Sequence, residues 1–119
     1  MLVKKIITVL LLVVSILGCS SDDAPTPVPS IAFDKTEGKA INGEYTITGT
    51  ITSSVSLLKV IVTKSGDSAP FFIDDTTAKN KNSYAFSYLI TSITADTTIL
   101  IDAYDQNNTK SSSSFLIRL

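Results

Sequence analysis

Residues 31–119 predict an all-β domain, an antiparallel β-sandwich of about seven strands, on three observations. Tyr45 to Thr52 places Thr at every second position, the period-two pattern of a half-buried strand. Further runs of β-branched and aromatic residues recur at short intervals, as a pleated surface favours. Clusters of Gly, Asn, Asp and Ser separate the runs, and no amphipathic helical pattern follows residue 30.

Each element follows in order. Ser30–Phe33 predicts a short flanking strand, and Glu37-Gly38 and Asn42-Gly43 predict turns. Tyr45–Thr52 is the second strand and Leu57–Thr63 the third, ended by the turn residues Ser65-Gly66-Asp67-Ser68. Phe71–Ile73 is a second short strand, after Pro70. Tyr84–Ile90 sets Tyr84, Phe86, Tyr88 and Ile90 on one face. Thr97–Tyr104 sets Ile99, Ile101 and Ala103 on one face, and Asp105–Asn108 supplies the next reversal. Ser113–Leu119 closes the domain, with Phe115, Ile117 and Leu119 on one face. The expected core is Ile47, Ile51, Val60, Val62, Phe86, Ile99, Ile101, Phe115 and Ile117.

Seven short strands in about 90 residues is an immunoglobulin-like pattern. Gly49-Thr50-Ile51, then Leu57-Leu58-Lys59-Val60-Ile61-Val62, then Thr98 to Asp105 resemble the bacterial Ig-like domains of cell-surface proteins. Asn108 stands where that family usually has a turn Gly, and the antibody-type Cys pair and Trp are absent. These are motifs of fold and carry little about function.

The first 30 residues have a different character. Lys4 and Lys5 precede an apolar run, Ile6–Leu17, and Gly18 precedes Cys19, the order of a secretory signal. The run is shorter than the ~20 residues of a spanning helix. Ile16-Leu17-Gly18-Cys19 resembles the lipobox of bacterial lipoproteins, and Cys19 is the only Cys in the chain. The resemblance implies a signal peptide over residues 1–18, a diacylglycerol on the Cys19 sulfur and an acylated amine, palmitate being one such acyl group. Several chains make a stable anchor where one would not. Ser20, Ser21, Asp22 and Asp23 resemble the surface-export signal of Bacteroidetes lipoproteins, which implies the outer face of the outer membrane. Pro25, Pro27 and Pro29 favour extended polyproline II, so residues 19–30 are expected to be lipidated Cys plus linker.

Composition excludes much. The chain has no His and no Trp, which removes His-based triads and the usual zinc sites. Without residues 1–18, 8 basic side chains face 11 acidic ones, so no nucleic-acid partner is expected and the lipid must supply membrane affinity. Asp105-x-Asn107-x-Thr109 begins like a calcium loop, but Lys110 and Leu116 occupy the positions that need Gly and Glu. A looser site on Asp102 and Asp105 is set aside, and Asp74-Asp75 is expected to be a solvated loop. No metal, no cofactor and no catalytic residue is expected, and the chain is not expected to be an enzyme.

Two kinds of site remain. Asp67-Ser68-Ala69, Asp75-Thr76-Thr77 and Asp96-Thr97-Thr98 match a Bacteroidetes O-glycosylation sequon, with Ser68, Thr76 and Thr97 as the attachment residues. Phe71 and Phe72, with Tyr45, Tyr88 and Tyr104, are the aromatic candidates for contact with a ligand. The expected function is a lipid-anchored binding or structural module, accessory to adhesion or to a surface complex whose protein or glycan partner the sequence does not name. The alternative is an outer-membrane glycan-binding module. An exposed aromatic strip would favour glycan, whereas a long, flat, uncharged edge strand would favour strand addition to a partner.

Overall fold

The computed structural model describes residues 26–119. The signal segment, Cys19, Ser20–Asp23 and the start of the linker lie outside the described residues. Eight strands form: β1 (Ser30–Phe33), β2 (Glu37–Lys39), β3 (Tyr45–Thr52), β4 (Leu57–Lys64), β5 (Phe72–Asp74), β6 (Ser83–Ile90), β7 (Thr97–Asp105) and β8 (Lys110–Arg118). They build two sheets, ordered β1-β3-β6 and β2-β8-β7-β4-β5.

The sandwich is therefore as expected, with one extra strand. Glu37-Gly38 is not a turn. It lies in β2, which pairs in parallel with β8, Gly38 opposite Ile117. The other strand pairs are antiparallel. A parallel partner 79 residues away leaves no local pattern to read, and three residues are too few for a period. A Cβ at position 38 would lie 2.3 Å from Cζ of the Tyr45 ring, so any larger residue must displace the ring that stacks on Phe115. Arg118 Nε also donates to Glu37 Oε2 at 2.6 Å, tying β2 to β8.

Asn42 and Gly43 form the expected reversal, with φ of 56° and 75°. Two left-handed residues in succession are the mark of a type I′ hairpin. Ile41 and Glu44 exchange backbone hydrogen bonds of 2.9 and 3.1 Å across it. Asn108 adopts φ of 61°, so Asn does take the place of a turn Gly in the β7–β8 connection.

All nine expected core residues are buried, joined by Leu57, Ala78, Tyr88, Ile90, Ile93 and Ala103. Phe33, Tyr45 and Phe115 gather on the β1–β2 side, and Phe33 reaches Phe86 of β6 across the core. Phe33 packs edge-on to Phe86 at 6.1 Å and against Phe115 at 5.1 Å, and Tyr45 stacks on Phe115 at 5.7 Å. These rings, with β2 lying across Tyr45, close the sandwich there. The opposite side, where β5 and β6 are the edges of their sheets, is built differently.

Candidate functional site

The β5–β6 side is organised by Asp74. In the ladder Asp74 pairs with Val60, whose side chain enters the core, so the carboxylate points inward as well. It is 4 % exposed, which corrects the expectation of a solvated Asp74-Asp75 loop. Six donors surround it. Oδ1 accepts from the backbone N–H of Thr76 (3.3 Å), Thr77 (3.0 Å) and Ala78 (3.3 Å). Oδ2 accepts from Thr77 Oγ1 (2.6 Å), Tyr84 OH (3.0 Å) and Tyr88 OH (3.0 Å). Burial pushes the Asp74 carboxyl up, but the bonds from Thr77, Tyr84, Ala78 and Tyr88 outweigh it and hold the group below its ordinary value of 3.8. Burial first, and the Asp74 charge second, push the Tyr88 phenol far above its ordinary value. Asp74 stands on one sheet and the two tyrosines on the other, so the cluster ties the sheets together.

The aromatic candidates separate around this cluster. Phe72 pairs with Val62, and its ring meets Tyr88 edge-on at 5.0 Å. It is 39 % exposed. Phe71 is half-buried, with the Lys64 ammonium 4.7 Å from its ring centroid. Tyr88 is buried and stacked on Phe86 at 5.2 Å, so it is no surface platform. Tyr104 lies under the Lys59 ammonium at 5.0 Å. Each of these rings already has a neighbour, and they do not line one face as a strip.

Phe71 and Phe72, with Ser87, Tyr88 and Leu89, line an open pocket of about 230 Å³. A second, of about 260 Å³, lies beyond Leu89 and is lined by Lys39, Ile41, Glu44, Tyr45 and Thr46 as well. Both fall short of the ~300–1,000 Å³ of sites that enclose a small molecule. Leu89 borders both and is 53 % exposed.

Asp34 N donates to Thr48 O, so the even-numbered backbone groups of β3 turn toward β1. Ser53 N donates to Asn82 O, so the odd-numbered ones turn toward β6, where they meet Tyr84, Phe86, Tyr88 and Ile90. Backbone N–H and C=O of one strand residue point the same way. Those of Ser83, Ala85, Ser87 and Leu89 therefore point outward, away from the sheet. Among the described residues they meet no backbone partner.

The acidic residues do not converge. Asp102 accepts from Ser112 Oγ across β7–β8. Asp105 is buried, and its Oδ1 accepts from the N–H of Asn107 and Thr109, both at 2.9 Å, an Asx turn that shapes the hairpin. No group of three or more His, Cys, Asp or Glu among the described residues is placed to hold a metal ion. Ser56 and Lys59 have the spacing of a serine–lysine pair, but the Lys59 ammonium is engaged over Tyr104. Of the sequon residues, Ser68 and Thr76 are exposed. Thr97 is half-buried at the start of β7, and its hydroxyl donates to Ala95 O at 2.8 Å.

The sequence alone would have located the Asp74 cluster only through two inward-facing tyrosines, Tyr84 and Tyr88, that needed an acceptor. No protein-family model and no curated protein sequence matches the chain. Among solved structures, the fibronectin(III)-like modules of Clostridium thermocellum CbhA superpose on 81 % of the chain with a TM-score of 0.56 and 16 % identity. The chain spans 48 % of the length of that structure's chain. At this identity the likeness is one of fold, and it places the described residues among the immunoglobulin-like and fibronectin-III-like β-sandwiches.

Proposed function

We propose that the chain is a lipid-anchored, non-catalytic binding module on the outer face of the outer membrane, serving adhesion or a surface complex. One observation carries the binding role: the open side of the sandwich offers an unpaired, uncharged strand edge beside an apolar pocket. Elsewhere the buried polar groups chiefly serve the fold, as Asp74 does between the sheets and Asp105 in its turn. The anchor rests on the sequence, where the sole Cys stands at the end of a lipobox-like segment and before Ser20–Asp23.

The anchor is tested with Cys19→Ser. Wild-type protein is expected to take up labelled palmitate and to enter the detergent phase, and the variant to do neither. A variant that still partitions with detergent and still loses 18 residues would sink the lipoprotein assignment. Surface display is tested by adding protease to intact cells. Cleavage is expected near residues 24–30, and changing Asp22 and Asp23 to Ala is expected to protect the protein. Full protection of the wild type would overturn the surface assignment.

Glycan binding is the second reading, favoured by Phe71 and Phe72 at the pocket. A ligand at a hundred times its Kd adds ~2.7 kcal/mol to stability. That would raise the melting temperature by roughly 10 °C or more. We expect no such rise with soluble polysaccharides. A rise abolished by Phe72→Ala would put glycan first.

A further inference from the structure

We infer that the outer edge of β6 receives an extended strand from a partner protein, uncharged along its middle, with one apolar side chain entering the Phe71–Phe72 pocket and acidic side chains at both ends. The inference rests on reading the chain as a binding module and names the partner's chemistry.

The four sheet edges are unlike one another. β1 has four residues and follows Pro29, β2 has three and carries Glu37 and Lys39, and β5 has three. Shortness, Pro and charge are the usual devices that keep an edge from pairing. β6 has eight residues and none of these devices: Ser83 to Ile90 contains no charge, no Pro and no Gly. Its outward backbone groups at Ser83, Ala85, Ser87 and Leu89 form a ready ladder. Strand addition draws affinity from such main-chain bonds and specificity from pockets that take alternate side chains. The Phe71–Phe72 pocket lies against Ser87–Leu89, at one end of that ladder.

Charge selects the occupant. The loop leading into β6 carries Lys79 and Lys81 against Asp75, all exposed. At the far end the Lys64 ammonium donates to Thr91 O, one residue past β6. Beyond Leu89 stand Lys39 and the exposed Glu44, so each end carries two lysines against one acid, and the edge is neutral in its middle and net basic at both ends. A second copy fits poorly. The antiparallel register that uses all four outward residues sets Ser83 against Leu89 and Ala85 against Ser87 of the other copy. One step further it brings Lys81 to Thr91 of that copy, where its Lys64 is held, and like charges across a pair are unfavourable. A strand with acidic ends meets a lysine at each end instead.

The test uses the full chain in detergent micelles. The probes are two fluorescent peptides of alternating Thr and Val, one with Asp-Asp at both ends and the other with Lys-Lys. By anisotropy, the acidic peptide is expected to bind at least ~10-fold more tightly. Binding is expected to slow amide exchange at Ser83, Ala85, Ser87 and Leu89. Ala85→Pro removes an outward N–H and no bond to β3, and is expected to weaken binding ~10-fold or more. Leu89→Lys, at an exposed side chain, is expected to do the same should the proline disturb the strand. Lys81→Glu is expected to narrow the preference for acidic ends. Equal binding of the two peptides, no binding by about 1 mM, or binding unaffected by Leu89→Lys would overturn the inference. So would self-association through β6, detected as disulfide dimers between Ala85→Cys and Ser87→Cys chains. These measurements are made on the purified chain, so their failure leaves the anchor assignment standing, and loss of the anchor leaves them unaffected.

Discussion

Replacing Asp74 by Ala is expected to cost about 3 kcal/mol or more, a large share of the ~5–15 kcal/mol that holds a domain of this size. The reason is what the carboxylate leaves behind. The Tyr88 hydroxyl is buried, and the Tyr84 and Thr77 hydroxyls and three backbone N–H groups also point at the vacated site. Buried donors without an acceptor carry their full desolvation cost. Asp74→Asn keeps one oxygen, and the tyrosine hydroxyls can turn to accept from the new amide, so its loss is expected to be smaller. Urea denaturation of the three proteins checks the order. The pH dependence follows from the same group. Its carboxyl is held below 3.8 in the folded state, so the unfolded chain binds the proton first as pH falls. The stability it contributes is fully present above that value and is lost as pH drops through the lower, folded one. The wild type is therefore expected to lose stability below about pH 4 more steeply than Asp74→Asn. Equal acid sensitivity of the two would show that the folded state does not favour the ionised carboxylate.

Gly49→Val is expected to be the other severe change, at about 3 kcal/mol or more, with Gly49→Ala milder. Gly49 lies in the middle of β3, between Phe33 of β1 and Phe86 of β6 in the ladder. A Cβ there would come 2.4 Å from Ala32 O and 2.6 Å from Phe86 Cζ. The Phe86 ring can tilt, but the Ala32 oxygen belongs to the backbone and moves only with its strand. β1 must retreat and take Phe33 out of the ring cluster. Hydrogen exchange is expected to show β1 amides losing protection before those of β3 and β6. Gly66→Ala is the control. Nothing lies within 4 Å of its Cβ, and only the φ of 93° opposes the change, so a loss near 1 kcal/mol is expected.

Most of the sandwich is written in local pattern. β3, β6, β7 and the second half of β8 show alternation that names their inward side chains directly, and β4 is legible as a β-branched apolar run, so the nine core positions are all buried. β2 escapes because its stability comes from the β8 edge and from the flat Tyr45 ring under Gly38, both distant in sequence. Asp74 escapes for a related reason. Two adjacent Asp residues followed by Thr have the composition of a solvated turn. What makes this one buried is a pair of hydroxyls ten and fourteen residues later, on a strand of the other sheet. The β6 edge is legible as an uncharged run but not as an edge, since strand order within a sheet has no local signature.

With the proposed anchor and the proposed partner in place, the first sheet would lie between the two points of load. The chain enters it at Ser30, and the unpaired edge of β6 lies two strands away with β3 between. β1 and β6 both run antiparallel to β3, so they run in the same direction. Inter-strand bonds in such ladders lie across the strand axis. When the chain is held upstream of Ser30 and a partner pulls on β6 along the strands, tension passes through the β1–β3 and β3–β6 ladders in shear. Their bonds then share the load together instead of opening one after another, and the contact between the two sheets lies off the force path. A pull across the strands would peel β1, four residues long, from one end, so the same module would grip along one axis and yield along the other.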